Sequence, residues 1–139
     1  MNYSRINQKF LGEYLELDKA LCQKLDSKAG VTEYINKLNG AKYAPGRDNS
    51  LHRLIKYRGL RNRIAHEPGA LKDIDNITRD DIIWLKGFKK QVMRGKDPLS
   101  VYLKKASSRI RNRALKRTLL LACIGAAAVL AAVAVIVLL

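Results

Sequence analysis

The chain has 139 residues, 27 Lys and Arg against 12 Asp and Glu, a formal net charge of +15 and 47% apolar residues. This length leaves room for one small domain and excludes a multidomain enzyme. The apolar residues are unevenly placed, because residues 118–139 carry no charge and are almost wholly apolar. We therefore predict a domain over residues 1–103, a basic stem over 104–117 and a separate apolar segment over 118–139.

The first part of the body is predicted to form a long amphipathic helix over residues 4–29 and a shorter helix over 32–38. In the long helix, apolar side chains recur at helical spacing at Ile6, Phe10, Tyr14, Leu17, Leu21 and Leu25. Gly30 stands where a C-terminal cap of this helix is expected. The second helix is expected to close at Asn39 and Gly40.

The third predicted helix carries most of the candidate functional residues. Good N-cap residues occupy positions 48–50, so the helix is expected to begin there. Its end is expected near His66, because Pro68 and Gly69 interrupt any helix that follows.

Two further helices complete the body. Thr78 and Asp81 form a Thr-x-x-Asp variant of the capping box, which starts a fourth helix that ends at Gly95. A last helix opens at Pro98 and, lacking Gly and Pro up to residue 124, continues through the stem. No segment shows the alternation of apolar and polar residues that is typical of a β-strand. The body is therefore predicted to be an all-α bundle of four or five helices, small enough to favour self-association.

The stem and the apolar segment are predicted to attach the chain to a membrane by a single transmembrane helix. At about 1.5 Å per residue, the segment reaches about 33 Å, and a hydrocarbon core is about 30 Å thick. The stem carries Lys104, Lys105, Arg109, Arg111, Arg113, Lys116 and Arg117. Because basic flanks stay on the cytoplasmic side, we expect a single-pass, tail-anchored protein with a cytoplasmic N-terminal domain. These cations either bind anionic lipid headgroups at the membrane surface or only determine topology.

Other interpretations of the tail are less favourable. A buried core helix would need a larger body around it, and a GPI-type signal would need an N-terminal secretory signal, whereas the first ten residues are polar. Small residues such as Ala122 and Ala126 leave helix dimerisation in the membrane open.

Cys22 and Cys123 are expected to be reduced and non-catalytic. No metal site and no cofactor are expected, because too few ligands are present.

One constellation could carry chemistry, the sequence Arg-Asn-Arg-Ile-Ala-His at the end of the third helix. The sequence contains no paired carboxylates at a suggestive spacing, no Gly-rich phosphate loop and no Ser-His-Asp order, which excludes most enzyme classes. Asn62 and His66 are four residues apart and share a helix face. Arg61 lies about 140° around the helix from His66, so both reach one cleft only if the helix end loosens or a second chain contributes.

This sequence resembles the Arg-x4–6-His motif of HEPN domains, which are small helical bundles. In catalytic members of that family, Arg and His residues of two protomers form a composite, metal-independent endoribonuclease site. The resemblance implies this role for Arg61 and His66, with Asn62 in support, and it covers the body but not the tail. A second match, from Arg47 to His52, is set aside because it straddles the start of the third helix instead of ending it.

The residue types suit the cleavage of RNA without a metal. Histidine titrates near neutral pH and can exchange a proton with a ribose 2′-hydroxyl, while a guanidinium binds phosphate oxygens in a bidentate manner. The same helix carries further candidates for RNA or phosphate binding, namely Arg53, Lys56, Arg58 and Arg63. Two interpretations without RNA stay open. The cations at the helix end interact only with its terminal carbonyls, or the basic surface is only solvated or faces the membrane.

We therefore expect a membrane-tethered, homodimeric endoribonuclease of the toxin or defence type, with RNA as substrate and a cognate antitoxin or other protein as partner. The alternative is a non-catalytic dimerisation or adaptor module that binds a protein, a nucleotide or a lipid at the membrane. A third reading, in which the tail forms a pore, is disfavoured because the segment has no polar face.

Overall fold

The computed structural model describes the backbone of residues 3–138 and the side chains of residues 4–122. Six helices follow one another: α1 (Tyr3–Leu25), α2 (Gly30–Gly40), α3 (Arg47–His66), α4 (Ala70–Asp73), α5 (Arg79–Arg94) and α6 (Pro98–Leu138). No strand occurs among the described residues, and the predicted all-α class is confirmed. The chain divides into two units, Met1–Tyr102 and Leu103–Leu139. The first is a helical bundle of α1 to α5 with the start of α6.

Helix α1 is the centre of this bundle and packs against α2, α3, α4 and α5. Most of its predicted apolar stripe is buried, with Phe10, Leu17 and Leu21 fully enclosed, while Ile6 and Leu25 at the two ends are half-buried. The ring of Tyr57 from α3 lies edge-on to that of Phe10, with centroids 5.4 Å apart, and to that of Trp84 from α5, at 5.5 Å. Burying side chains of this size contributes about 1.5–3 kcal/mol each, so the aromatic cluster holds three helices together.

The junction of α1 and α2 differs from the prediction. Helix α1 ends at Leu25, and Asp26 takes a left-handed conformation with a φ of 49°. Gly30 is not the cap of α1, because it is the buried first residue of α2. A Cβ atom at Gly30 would lie 2.5 Å from the backbone nitrogen of Cys22 and would also overlap the carbonyl oxygen of Asp18. Glycine is needed there because α2 begins in contact with the α1 backbone.

Helix α3 ends at His66, as predicted, but its start is different. Gly46 is the N-cap, with a φ of 68° and no side-chain hydrogen bond, so none of the polar residues at 48–50 caps the helix. The loop after α3 contains the short helix α4, which the sequence pattern did not predict. This loop is held to α1 by Asn7, whose amide nitrogen donates to the carbonyl oxygens of Leu71 and Ile74 at 2.9 and 2.8 Å.

Helix α5 confirms both of its predicted ends. The Thr78 hydroxyl oxygen accepts the N–H of Asp81 at 3.3 Å, and the Asp81 carboxylate accepts the N–H of Thr78 at 2.9 Å. Gly95 follows the helix with a φ of 62°. These caps satisfy backbone groups that a helix leaves unpaired at its ends.

The last helix, α6, extends from Pro98 to Leu138. Within the described part of the chain, the structure contains no helix that is both long enough and apolar enough to cross a membrane. The side chains of residues 123–139, which make up most of the predicted transmembrane segment, lie outside the described part.

Candidate functional site

The three residues of the predicted catalytic set lie in the last two turns of α3. Arg61 is half-buried, whereas Asn62 and His66 are exposed. The Arg61 Nη1 atom lies 3.3 Å from Oδ1 of Asn62. The side chain of His66 has no hydrogen-bond or ion-pair partner among the residues that the structure describes. The imidazole is therefore accessible at the end of the helix.

A small polar cleft of about 210 Å³ lies beside α3, next to α1 and the start of α2. It is lined by Tyr14, Asp18, Lys28, Ala29, Thr32, Arg58, Arg61 and Asn62. His66 is not among these residues. The fold thus brings Arg58, Arg61 and Asn62 to one cleft within a single chain and leaves the candidate histidine outside it.

The charged residues of this cleft influence the pKa of the Tyr14 hydroxyl. Burial and, to a smaller extent, the Asp18 carboxylate raise the pKa of Tyr14 to about 12, although Arg61 and Arg58 act in the opposite direction. Both guanidinium groups therefore lie within electrostatic reach of the same phenol. The Asp18 carboxylate accepts the backbone N–H of Val31 at 2.8 Å, which ties it to the first turn of α2.

Two of the predicted RNA-binding residues lie elsewhere on α3 and contact α5. The Arg53 guanidinium lies 5.4 Å from the ring centroid of Trp84, and its Nη1 donates to the Tyr57 hydroxyl at 3.3 Å. The Lys56 ammonium lies 3.3 Å from Oδ1 of the buried Asp81. Both cations thus connect α3 to α5 and do not line the cleft at Arg61.

The remaining predicted cations are on the surface. Arg63 is exposed and pairs with Glu67 at 3.2 Å, an ion pair of the kind that contributes little to stability. The seven predicted membrane-surface residues of the stem are all exposed in the second unit: Lys104, Lys105, Arg109, Arg111, Arg113, Lys116 and Arg117. Their side chains are therefore accessible to an anionic surface.

Sequence reasoning did not find the cleft residues outside α3. Tyr14 was assigned only to the core stripe of α1, and Asp18 and Lys28 were not singled out. No local sequence pattern marks Asp18 or Lys28 as part of a site, because only the packing of α1 and α2 against α3 brings them next to Arg58 and Arg61. Within the described side chains, no three His, Cys, Asp or Glu residues lie close enough together to hold a metal ion.

The sequence profile of a family of unknown function, DUF6548, matches residues 8–119. The chain belongs to the DUF6548 family. The part that matches the DUF6548 profile includes most of α1, all of α2 to α5 and the whole basic stem within α6. No curated protein and no solved structure matches the chain.

Proposed function

We propose that this protein is a membrane-anchored, HEPN-like endoribonuclease that cleaves RNA as a homodimer on the cytoplasmic side. The observation that carries the proposal is the arrangement at the end of α3, where Arg61 lines a cleft with Arg58 while His66 is exposed outside it. A site shared between two chains needs such an arrangement, because each chain then offers one accessible imidazole and one guanidinium-lined cleft to its partner.

In this proposal each group has one task in the cleavage reaction. The imidazole of His66 takes the proton from a ribose 2′-hydroxyl, and the resulting alkoxide attacks the adjacent phosphorus atom. Arg61 and Arg58 bind the phosphate oxygens and stabilise the negative charge that develops on them. The P–O5′ bond then breaks and the leaving 5′-oxygen takes a proton from water, which leaves a 2′,3′-cyclic phosphate on one fragment and a 5′-hydroxyl on the other.

The proposed membrane attachment rests on the composition of the second unit. Residues 118–139 contain no charged side chain, and the exposed stem before them contains seven basic residues and no acidic one. A basic flank of this kind is typical of the cytoplasmic side of a single-pass helix and also attracts anionic lipid headgroups.

The experiment that tests the enzyme proposal measures cleavage of single-stranded RNA by the purified full-length chain in detergent and EDTA. We expect products with 2′,3′-cyclic phosphate ends, and we expect Arg61→Ala and His66→Ala each to abolish them. The matched control is His52→Ala, which removes the other exposed histidine of α3. Mixing the Arg61→Ala and His66→Ala chains should restore part of the activity, because a shared site can draw one intact residue from each. Inactivity of the wild-type chain on a broad panel of RNAs would contradict the proposal.

A second candidate function is a non-catalytic, membrane-anchored adaptor, and the contacts of three basic residues favour it. Arg53, Lys56 and Arg63 all contact side chains of their own chain, so they are less available to RNA than their sequence positions predict. An adaptor of this kind would dimerise and bind a protein, a nucleotide or a lipid. His66→Ala would then leave dimerisation unchanged, and no chain, wild-type or variant, would cleave RNA.

A further inference from the structure

A second groove, independent of the proposed ribonuclease site, lies between the first turns of α1 and α5. It has a volume of about 580 Å³, and its apolar floor is formed by Ile6 of α1 with Ile82 and Ile83 of α5. Ile83 is 66% exposed, and the half-buried side chains of Ile6 and Ile82 extend the apolar surface beside it. The bundle therefore leaves an apolar strip uncovered within the described part of the chain.

The rim of this groove is entirely basic. Arg5, Lys9, Arg79 and Lys86 line it, and no acidic residue does. Only Lys86 has an ion pair, with Glu13 at 3.4 Å, while the other three have no ion-pair partner within the described residues. An occupant of the groove would therefore meet three uncompensated positive charges around an apolar floor.

The positions of these cations in their helices strengthen the field. Arg79 is the first residue of α5, and Arg5 lies in the first turn of α1, which contains no acidic residue. A cation at a helix N-terminus opposes the helix dipole, so these side chains do not serve the stability of their own helices. The first turn of α5 also contains Asp80 and Asp81, so only the N-terminus of α1, whose first turn has no acidic residue, adds to the positive potential of the rim.

We propose that this groove binds an acidic amphipathic helix of a partner protein. Such a helix places apolar side chains on one face, against the isoleucine floor, and carboxylates on both flanks, within reach of the rim. RNA would pair with the cations but gain nothing from the isoleucines. A single anionic lipid would carry too few charges for the three unpaired cations, whereas a helix presents several carboxylates at fixed spacing.

Binding can be measured by fluorescence anisotropy with the purified full-length chain in neutral detergent. The probe is a fluorescein-labelled peptide of about 18 residues, or five helical turns, with Leu on one face and Glu on the flanks. A scrambled peptide of the same composition has the same charge but no apolar face. We expect the amphipathic peptide to bind about tenfold more tightly than the scrambled one.

Variants locate the binding site. Ile83→Ser and Lys9→Glu should each weaken binding of the amphipathic peptide about fivefold or more. The matched controls are Met93→Ser, which removes another exposed apolar side chain of α5, and Lys90→Glu, which reverses an exposed charge outside the groove. All four positions are exposed, so the substitutions should not disturb the core, and circular dichroism checks that each variant keeps its helix content.

Three results would overturn the proposal. If the scrambled peptide binds as tightly as the amphipathic one, the apolar floor plays no part. If Lys90→Glu weakens binding as much as Lys9→Glu, the peptide responds to net charge only. The third result concerns short-chain phosphatidylserine below its micelle concentration. If this lipid binds, if Ile83→Ser and Lys9→Glu weaken its binding while the control variants do not, and if the peptide does not bind, the groove takes an anionic lipid and not a protein helix.

Discussion

The Nζ atom of Lys24 lies 2.6 Å from Oδ1 of Asp97, a carboxylate whose side chain has no solvent exposure. The Tyr34 hydroxyl donates to the other oxygen at 2.9 Å, and the backbone N–H of Ser100 donates to it at 3.1 Å. One buried carboxylate therefore joins α1, α2 and the first turn of α6. A buried charge is tolerated when it is paired and hydrogen-bonded in this way.

Acid should destabilise the bundle through Asp97. Burial by itself raises the pKa of this carboxyl, but the hydrogen bonds from Lys24, Ser100 and Tyr34 hold it below its ordinary value. The stabilisation that comes from a lowered pKa is present above the pKa of the unfolded state and is lost as the pH falls through that of the folded state. We therefore expect the urea midpoint of the full-length chain to fall as the pH drops below about 4.

The variant Asp97→Asn tests whether this carboxylate is responsible. It should lower the free energy of unfolding at neutral pH by about 3 kcal/mol, because Lys24 loses its charged partner. It should also reduce the acid dependence of the urea midpoint. Asp75→Asn, at an exposed carboxylate, should change stability by less than about 0.5 kcal/mol. An unchanged acid dependence in Asp97→Asn would assign the effect to other carboxylates.

The capping residues of α5 should differ in their effect on stability, because Asp81 has two roles. Its Oδ2 completes the cap with Thr78, and its Oδ1 accepts the Tyr57 hydroxyl at 2.8 Å. Thr78→Ala should cost about 1 kcal/mol, the usual value for a lost cap. Asp81→Ala should cost about 2–3 kcal/mol, because it also leaves the buried Tyr57 hydroxyl without its acceptor. Urea unfolding followed by circular dichroism measures both, and equal losses would show that the Tyr57 hydrogen bond contributes nothing.

The parts of the fold that the sequence predicts correctly are those with local causes. The cap at Thr78 and the glycine after α5 depend on residues a few positions apart, and the end of α3 at His66 depends on the proline that follows. The prediction that Gly30 caps α1 is wrong, because the role of this glycine depends on its contact with the α1 backbone, which no local pattern indicates. Tyr57 is different, because its spacing of three residues from both Leu54 and Leu60 is enough to place it on the buried face of α3.

The candidate site likewise has a part that local sequence predicts and a part that depends on how the helices pack. Arg61, Asn62 and His66 share one short motif, so the sequence predicts their position at the end of a helix. Whether two side chains of this motif reach the same cleft depends on how α1 and α2 pack against α3, which no local pattern encodes. The cleft contains Arg61 and Asn62 but not His66, although Asn62 and His66 share a helix face, because His66 lies one turn further along α3.

Two glycine-to-alanine substitutions should have opposite effects. At Gly30 an added methyl group overlaps the α1 backbone, which cannot move as a flexible side chain can, so Gly30→Ala should destabilise the bundle by about 2–3 kcal/mol. At Gly12, inside α1, a methyl group would meet nothing within 4 Å. Gly12→Ala should therefore stabilise the protein by about 0.5–1 kcal/mol through its higher helix propensity. Thermal unfolding compares the two, and a neutral Gly30→Ala would mean that α2 can move away from α1.

RNA binding should depend on Arg58 far more than on Lys56, although both are basic residues of α3. Arg58 lines the polar cleft with Arg61, whereas the Lys56 ammonium is paired with Asp81 at 3.3 Å. For single-stranded RNA each lost phosphate contact should reduce the slope of log K against log salt by about 0.7. We expect this reduction for Arg58→Ala in anisotropy titrations between low and physiological salt. Lys56→Ala should leave the slope unchanged and lower only the stability of the bundle. Equal slopes for both variants would mean that RNA does not use the cleft.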